Sequence, residues 1–265
     1  MDIINLTPDS FSGDGLMSGN DPVNKAVSQA VQFVREGADI LDLGAESSRP
    51  GAEPISTEEE IRRLMPGLEA ILTEKLDIAI SVDTYKSQVA EKALQAGAGW
   101  INDIWGLRFD PQMASIALKY DSPVVIMHNG RKLEQDPDAP EKENQKDVIQ
   151  RVKAGLQVSI QIAQKANLPP RNLILDPGIG FGKNVEENLE LINRLDEIKA
   201  MGYPLLVGPS RKSFIGATLN LPPDQRLEGT AAAIAISIAR GADIIRVHDV
   251  QAMARVAKLC DAILR

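Results

Sequence analysis

Eight short apolar runs recur along the chain at fairly even spacing, at residues 3–6, 38–43, 78–82, 100–101, 123–127, 173–175, 204–207 and 243–247. Almost every one runs into a small polar cluster: Thr7-Pro8-Asp9-Ser10, Glu46-Ser47-Ser48-Arg49, Asp83-Thr84, Asn102-Asp103, His128-Asn129, Asp176-Pro177-Gly178, Ser210-Arg211-Lys212 and His248-Asp249. A segment of helical period then leads to the next run. Strand, polar loop and helix repeated eight times is the written form of an α/β chain folded as a (β/α)8 TIM barrel. In that fold, groups at the carboxyl ends of the strands converge on one mouth, where the chemistry sits. The 265 residues suit one such barrel and no linker divides them, so residues 1–265 are expected to form a single domain.

The charge balance narrows the partners. A formal charge of −8 and a pI of about 5.0 disfavour nucleic acid and membrane surfaces. Anionic small molecules stay open, because a cleft can be locally basic. Cys260 is the single cysteine, which excludes an internal disulfide; its neighbours Val256, Leu259 and Ile263 suggest a buried core thiol. Two histidines and one cysteine are too few for a usual protein-only zinc site. No apolar run approaches membrane-span length and no signal-peptide pattern opens the chain, so a cytoplasmic location is the expectation.

The helices carry their own punctuation. Asp21-Pro22 reads as an N-cap with proline at the first helical position. Val23, Ala26, Val27, Ala30, Val31 and Val34 then make one face at spacing three and four. Ser56-Thr57-Glu58-Glu59-Glu60 opens the next helix with acidic residues in its first turn. Further helices are expected at 86–96, 110–120, 144–166, 186–201, 230–240 and 249–264. Residues 129–145 form a long polar loop at the mouth, expected to be mobile; 5–20 and 44–56 are two more loops able to close over a substrate.

Asp83, Asn102 and Asp176 each end a strand. A carboxylate accepts two adjacent N–H bonds and an amide both donates and accepts, which suits a nitrogen heterocycle. Helix capping is the plainer role for either aspartate. The glycines of Asp176-Pro177-Gly178-Ile179-Gly180-Phe181-Gly182-Lys183 lack P-loop spacing; they are read as letting backbone approach a flat ligand, with Phe181 as a wall. A tight turn around a core Phe is the alternative. Ser210-Arg211-Lys212-Ser213, leading into Phe214-Ile215-Gly216, reads as an anion or carbonyl site near a helix start, or else as a solvated charge pair. Strand alternation puts Arg246 and His248 on one side, suited to phosphate or diphosphate. Arg49 adds a third cation on its loop. Asn5 can ligate Mg2+ together with diphosphate oxygens, since magnesium takes few protein ligands. Met127 lines or packs the pocket, and His128 is open between ligand and core roles. Lys212 is formally also a Schiff-base candidate, though its Arg and Ser neighbours favour hydrogen bonding.

Taken in order, these segments make the chain resemble the dihydropteroate synthases over nearly its whole length. They are Asn5-Leu6-Thr7-Pro8-Asp9-Ser10-Phe11-Ser12, Gly44-Ala45-Glu46-Ser47-Ser48-Arg49-Pro50-Gly51-Ala52, Ser81-Val82-Asp83-Thr84, Ile101-Asn102-Asp103-Ile104, Met127-His128, Asp176 to Lys183, Ser210-Arg211-Lys212-Ser213 and Arg246-Val247-His248-Asp249.

The resemblance implies condensation of 6-hydroxymethyl-7,8-dihydropterin diphosphate with 4-aminobenzoate, giving 7,8-dihydropteroate and diphosphate. It implies a pterin site of Asp83, Asn102, Ile104, Met127, Asp176, Lys212 and Arg246. Diphosphate falls to Asn5, Arg49, Arg246 and His248, with Mg2+ on Asn5. The aminobenzoate site is implied at Phe11, Ser48, Arg49, Pro50, Phe181 and Ser213. Asp83, Lys212, Arg246 and His248 are the implied catalytic residues.

The sequence departs from the family pattern at Ala45, Ser48, Gly13-Asp14-Gly15 and Pro209, and the first strand comes almost at once where a leading segment is customary. A pterin-binding methyltransferase of the same superfamily would share Asp83, Asn102 and Asp176 without needing the Thr7-Pro8-Asp9-Ser10-Phe11 or Ser210–Ser213 segments. A non-catalytic pterin binder is the remaining alternative. The helix at residues 231–239 holds one polar residue, Ser237, and needs cover on its outer side. A homodimer through the later helices is therefore expected.

Overall fold

The computed structural model describes residues 1–7, 21–48, 52–131 and 147–264. Strand β1 (Asp2–Asn5) is followed by α1 (Pro22–Glu36), β2 (Ile40–Gly44), α2 (Thr57–Thr73), β3 (Ala79–Asp83) and α3 (Ser87–Ala96). Next come β4 (Trp100–Asp103), α4 (Met113–Lys119), β5 (Val124–Met127), α5 (Val148–Lys165) and β6 (Leu173–Asp176). Helices α6 (Val185–Asn193) and α7 (Leu195–Lys199) lead to β7 (Leu206–Val207). Helices α8 (Ser213–Leu219) and α9 (Leu227–Ala239) lead to β8 (Ile244–Ile245) and the last helix, α10 (Val250–Leu264).

Strands β1 to β6 pair in sequential order, all parallel, and β7 pairs with β8. Two single parallel bridges close the ring: Leu175 of β6 with Leu205, and Val247 just past β8 with Asp2 of β1. The Val247 N–H donates to the Met1 carbonyl at 3.1 Å. The expected (β/α)8 barrel is what the chain forms.

Alternation along the strands sorts their side chains into two columns. Leu41, Leu43, Ile80, Val82, Ile101, Val124, Ile126, Leu173, Leu175, Leu205 and Val207 face outward and join the helices in the main core. Ile40, Val125, Ile174 and Leu206, with Ala79, Trp100 and Ile244, form a separate apolar plug inside the barrel. Two residues further along the same inward column stand Asp42, Ser81, Asn102, Met127, Asp176 and Arg246. The barrel is thus greasy at its base and polar at its carboxyl end.

The caps expected for the first two helices are present: Asp21 accepts from Asn24 N, and Ser56 from Glu59 N. Three expectations change. The buried face of α1 is Ala26, Ala30 and Phe33, with the valines half-buried. The helix expected at 186–201 breaks at Arg194, whose backbone leaves helical dihedrals while its guanidinium is held by Asp147, Glu190 and Glu197. Apolar period runs through this break, since Leu191, Leu195 and Ile198 are all buried. Cys260 is half-buried, and its neighbours Leu259 and Ile263 on α10 are 62% and 72% exposed. Helix α8 begins at Ser213, where Ser210-Arg211-Lys212-Ser213 reads as lying near a helix start. The loop expected to be mobile lies outside the described residues from position 132 onward.

Helix α5 meets β5 through a glycine. A Cβ on Gly155 would be driven into the His128 ring, lying 3.0 Å from Nε2 and closer still to Cδ2. The backbone of His128 cannot retreat freely, because its N–H donates to the Asp176 carbonyl at 2.9 Å. Helix propensity favours Ala over Gly by about 1 kcal/mol, whereas overpacking costs about 1–3 kcal/mol. Gly155→Ala should therefore lower unfolding free energy by about 1 kcal/mol in urea titration; a gain in stability would show that the ring moves aside at no cost.

Candidate active site

The inward column of β2, β3, β4 and β8 converges on one guanidinium. Arg246 donates from Nε to Asp42 Oδ2 and from a terminal nitrogen to Asp83 Oδ2, each at 2.7 Å. Asp42 Oδ2 also accepts from the Asn102 side-chain amide at 2.8 Å. Asp42 is wholly buried. Its Oδ1 and the neighbouring Ser81 hydroxyl have no hydrogen-bond partner among the described residues. Buried polar atoms in native proteins find partners, so a polar ligand or water is the natural complement here.

Asp42 was not among the residues singled out from sequence, yet a signal existed. A carboxylate in mid-strand, two residues from Ile40 on the inward column, can only face the barrel interior. Asp83 does not cap α3, whose N-cap is Lys86; its side chain goes to Arg246. Burial pushes the Asp83 carboxyl up to about 7, with Arg246 opposing and the Asp42 charge adding. Burial likewise raises Asp176, against the pull of Lys212.

A second cluster joins the loops after β6 and β7. Lys212 donates from Nζ to the Ile179 carbonyl and lies 4.6 Å from the Phe181 ring centre. Burial lowers its ammonium to about 8, with Asp176 pulling the other way. Arg131 covers the same ring at 5.0 Å and donates to the Ser48 carbonyl at 2.9 Å. Arg131 is a second residue that sequence reasoning missed, since its stretch reads only as polar loop. Phe181 is therefore half-buried with two cations over its ring, not a core residue.

The glycines of this loop do something other than expected. A Cβ on Gly178, at φ +68°, would collide with the His128 carbonyl, and one on Gly180 would lie 2.8 Å from Lys212 Cδ. They admit neighbouring protein, so that Lys183 can donate to the carbonyls of Gly178, Phe181 and His128 at 2.8, 3.1 and 3.4 Å.

The remaining candidates fall as follows. His248 Nδ1 is 3.0 Å from Ser210 Oγ, and its N–H reaches the same oxygen. Asn5 ends β1, paired in register with Gly44. Ile104, Ser48 and Asp83 line one cavity together with Trp105 and Arg131. Met127 is buried beside Asp176 in register. Ser213 is exposed at the first turn of α8. Arg211 is committed to Asp249 through both ends of its fork, so it is not a solvated partner of Lys212. His128 points outward against α5 and is held neutral by burial, which removes it from the mouth. Phe11, Arg49 and Pro50 lie outside the described residues.

The family model described as pterin binding enzyme matches residues 1–248. A dihydropteroate synthase of Bacillus subtilis (strain 168) is 47% identical over 264 residues, covering 100% of this chain and 88% of that one. The chain belongs to the dihydropteroate synthase family. The fold agrees: a Clostridium difficile dihydropteroate synthase, solved in the presence of pteroic acid, aligns with a TM-score of 0.89 at 45% identity over 100% of this chain and 96% of its own. The Xanthomonas albilineans enzyme, solved with 4-aminobenzoic acid, aligns at 0.88 and 38% identity, covering 99% and 92%.

The raised Asp83 carboxyl has a pH signature. Between about 4 and about 7 the folded chain holds a proton at Asp83 that the unfolded chain has released. That contribution to stability falls as pH rises through this window. Asp83→Asn removes the titration, so the stability of the variant relative to the parent should climb from acid to neutral pH. A pH-independent difference in denaturant titrations would show that Asp83 titrates at an ordinary value.

Proposed function

We propose that this chain catalyses the dihydropteroate synthase reaction at the carboxyl end of its barrel. In that reaction the bond from the pterin methylene carbon to the diphosphate oxygen breaks, and its electron pair leaves with diphosphate. The amine of 4-aminobenzoate forms the new carbon–nitrogen bond and loses a proton, giving 7,8-dihydropteroate. The observation that carries the reading is the inward cluster of Asp83, Asn102 and Arg246, joined through buried Asp42, in a member of this family.

Each residue has a task that follows from its chemistry. Asp83, Asn102 and Asp176 offer carboxylate and amide oxygens to the ring N–H groups of the pterin, with Ile104 and Met127 as apolar lining. Carboxylates beside a ring that gains positive charge stabilise the departing state. Lys212, held between the Ile179 carbonyl and Phe181, donates to a pterin acceptor. His248 and Asn5 receive diphosphate, joined by Arg49; Arg246 links that corner to the carboxylates through its two ion pairs. Phe181, Ser48 and Ser213 flank aminobenzoate, with Phe11, Arg49 and Pro50 completing that side.

Mg2+ fits this site only sparingly. Asn5 supplies a neutral hard oxygen at the end of β1, and among the described residues no group of three or more His, Cys, Asp or Glu could hold a metal. A cation shared between Asn5 and diphosphate oxygens suits that donor set. When bound it neutralises charge on the leaving group.

Partners are the two small molecules and a second copy of the chain. On α9, Ala233, Ile234, Ser237 and Ile238 are buried, Ile234 and Ile238 packing with Val247 and Met253. Ala232, Ile236 and Ala239 form an opposite exposed stripe, with Ile236 at 47%. Leu259 and Ile263 of α10 are also bare, so these late helices suit a homodimer interface. No helix among the described residues is long and apolar enough to cross a membrane. A single-domain, cytoplasmic enzyme is the reading this supports, with neither nucleic acid nor membrane as partner.

Diphosphate release tests the reaction directly. It should depend on 4-aminobenzoate, match dihydropteroate formed, and fail without added Mg2+. Lys212→Met should reduce kcat/KM about ten- to over a hundredfold, the worth of one charge-assisted hydrogen bond. Borohydride with substrate should trap no adduct. Release that ignores the amine, or a Lys212→Met variant at parental efficiency, would sink the assignment. Sedimentation at micromolar concentration should show a dimer that Ile236→Lys dissociates; a parental monomer would refute the interface.

A further inference from the structure

Behind the mouth, the loop between β2 and α2 is tied at both stems to one buried lysine. Lys86 donates from Nζ to Glu46 Oε2 on the outgoing stem, and to the Ile55 carbonyl at 2.7 Å on the returning one. It also donates to Glu60 Oε2 at 2.7 Å in the first turn of α2. The Tyr85 hydroxyl donates to the other oxygen of Glu46. The Lys86 and Glu46 side chains are 11% and 10% exposed, and Glu60 only 2%. Ion pairs so placed are weak sources of net stability but strict about position, since losing one partner strands the other's charge.

The stem held by Glu46 continues directly to Ser48, whose carbonyl is gripped by Arg131. Arg131 in turn covers Phe181, the ring that Lys212 also approaches. A continuous line of contacts therefore runs from Lys86 through Glu46 and Ser48 to the Phe181 wall. Glu46, Ser48 and Arg131 line the same cavity as Asp83 and Ile104. Among the described residues no hydrogen bond or ion pair joins this line to Asp83, Asn102 or Asp176, and the Glu60 charge adds to the rise of Asp83.

We propose that Lys86 is a positioning residue for the aminobenzoate side of the mouth, fixing the two stems of the β2–α2 loop so that Ser48 stands against Arg131 and Phe181. The proposal rests on the dihydropteroate synthase reading for the identity of the second substrate. It assigns Lys86 no contact with either substrate. Glu60 is the anchor of the clamp, since it belongs to a helix; Glu46 and Ile55 are the parts it holds.

Two variants test it. Lys86→Met removes the clamp and leaves Glu46 and Glu60 without their shared cation. Glu46→Gln weakens only the outgoing stem and keeps the Lys86–Glu60 pair, so it serves if Lys86→Met does not fold. In a folded variant the KM for 4-aminobenzoate should rise, about tenfold for Lys86→Met and less for Glu46→Gln. The KM for the pterin diphosphate should stay within about twofold. Hydrogen–deuterium exchange at the amides of Ser47, Ser48, Glu53 and Ile55 should quicken in both. Unchanged exchange, or equal changes in both KM values, overturns the proposal. The exchange readout needs no activity: if the parent makes no dihydropteroate the functional reading fails, while the clamp still stands or falls on exchange.

Discussion

Arg246 carries a full charge into the interior of a closed barrel, and most of the mouth is arranged around that fact. A buried guanidinium is tolerated only with paired charge and satisfied donors. Asp42 and Asp83 supply both, from two neighbouring strands on the far side of the closing seam. Removing one member of such a pair costs about 3–5 kcal/mol, although the intact pair adds little net stability. The cluster is therefore best understood as a positioning device. It fixes Arg246 against β2 and β3, it fixes Asn102 through the shared Asp42 oxygen, and it leaves two carboxylates competing for one cation. Burial and that competition together raise Asp83.

The opposite wall is held by a different economy. Two lysines, 183 and 212, spend their donors on backbone carbonyls of the loop after β6. Burial lowers both, to about 7 and about 8, with Asp176 as the opposing charge. Glycines at 178 and 180 make this possible by accepting left-handed backbone and by leaving space where a side chain would strike His128 or Lys212. The result is a turn that sets the Phe181 ring against two cations.

These two walls belong to elements far apart in sequence, and their separation explains the division of labour. Carboxylates and an amide gather on one wall, the one we propose for the pterin. Cations and an aromatic ring gather on the other, the one we propose for the aminobenzoate. A dry, preorganised arrangement of this kind stabilises developing charge without reorganising at the moment of reaction.

The sequence by itself determined the architecture, because a barrel strand carries its own address. Apolar runs of strand length, each ending in polar residues and followed by helical period, admit few other folds, and the chain closed into the expected ring. The end-of-strand residues Asp83, Asn102, Asp176 and Arg246 were legible for the same reason: position on the strand fixes height in the barrel. Alternation held further information in Asp42, which faces inward two residues beyond Ile40, and in His128, which faces outward beyond Met127. What only the tertiary structure decided is which charges meet. Arg211 and Lys212 are adjacent in sequence, yet one is bound to Asp249 and the other to Ile179. Lys86 reads as an ordinary helix-start lysine until α2 and the β2 loop close over it, and Arg131 as a polar loop residue until Phe181 arrives beneath it. The break at Arg194 is invisible to apolar period because ion pairs, not apolar contacts, hold it. Charge pairing acts through space at a few ångströms, and chain order says nothing about which side chains will share that distance.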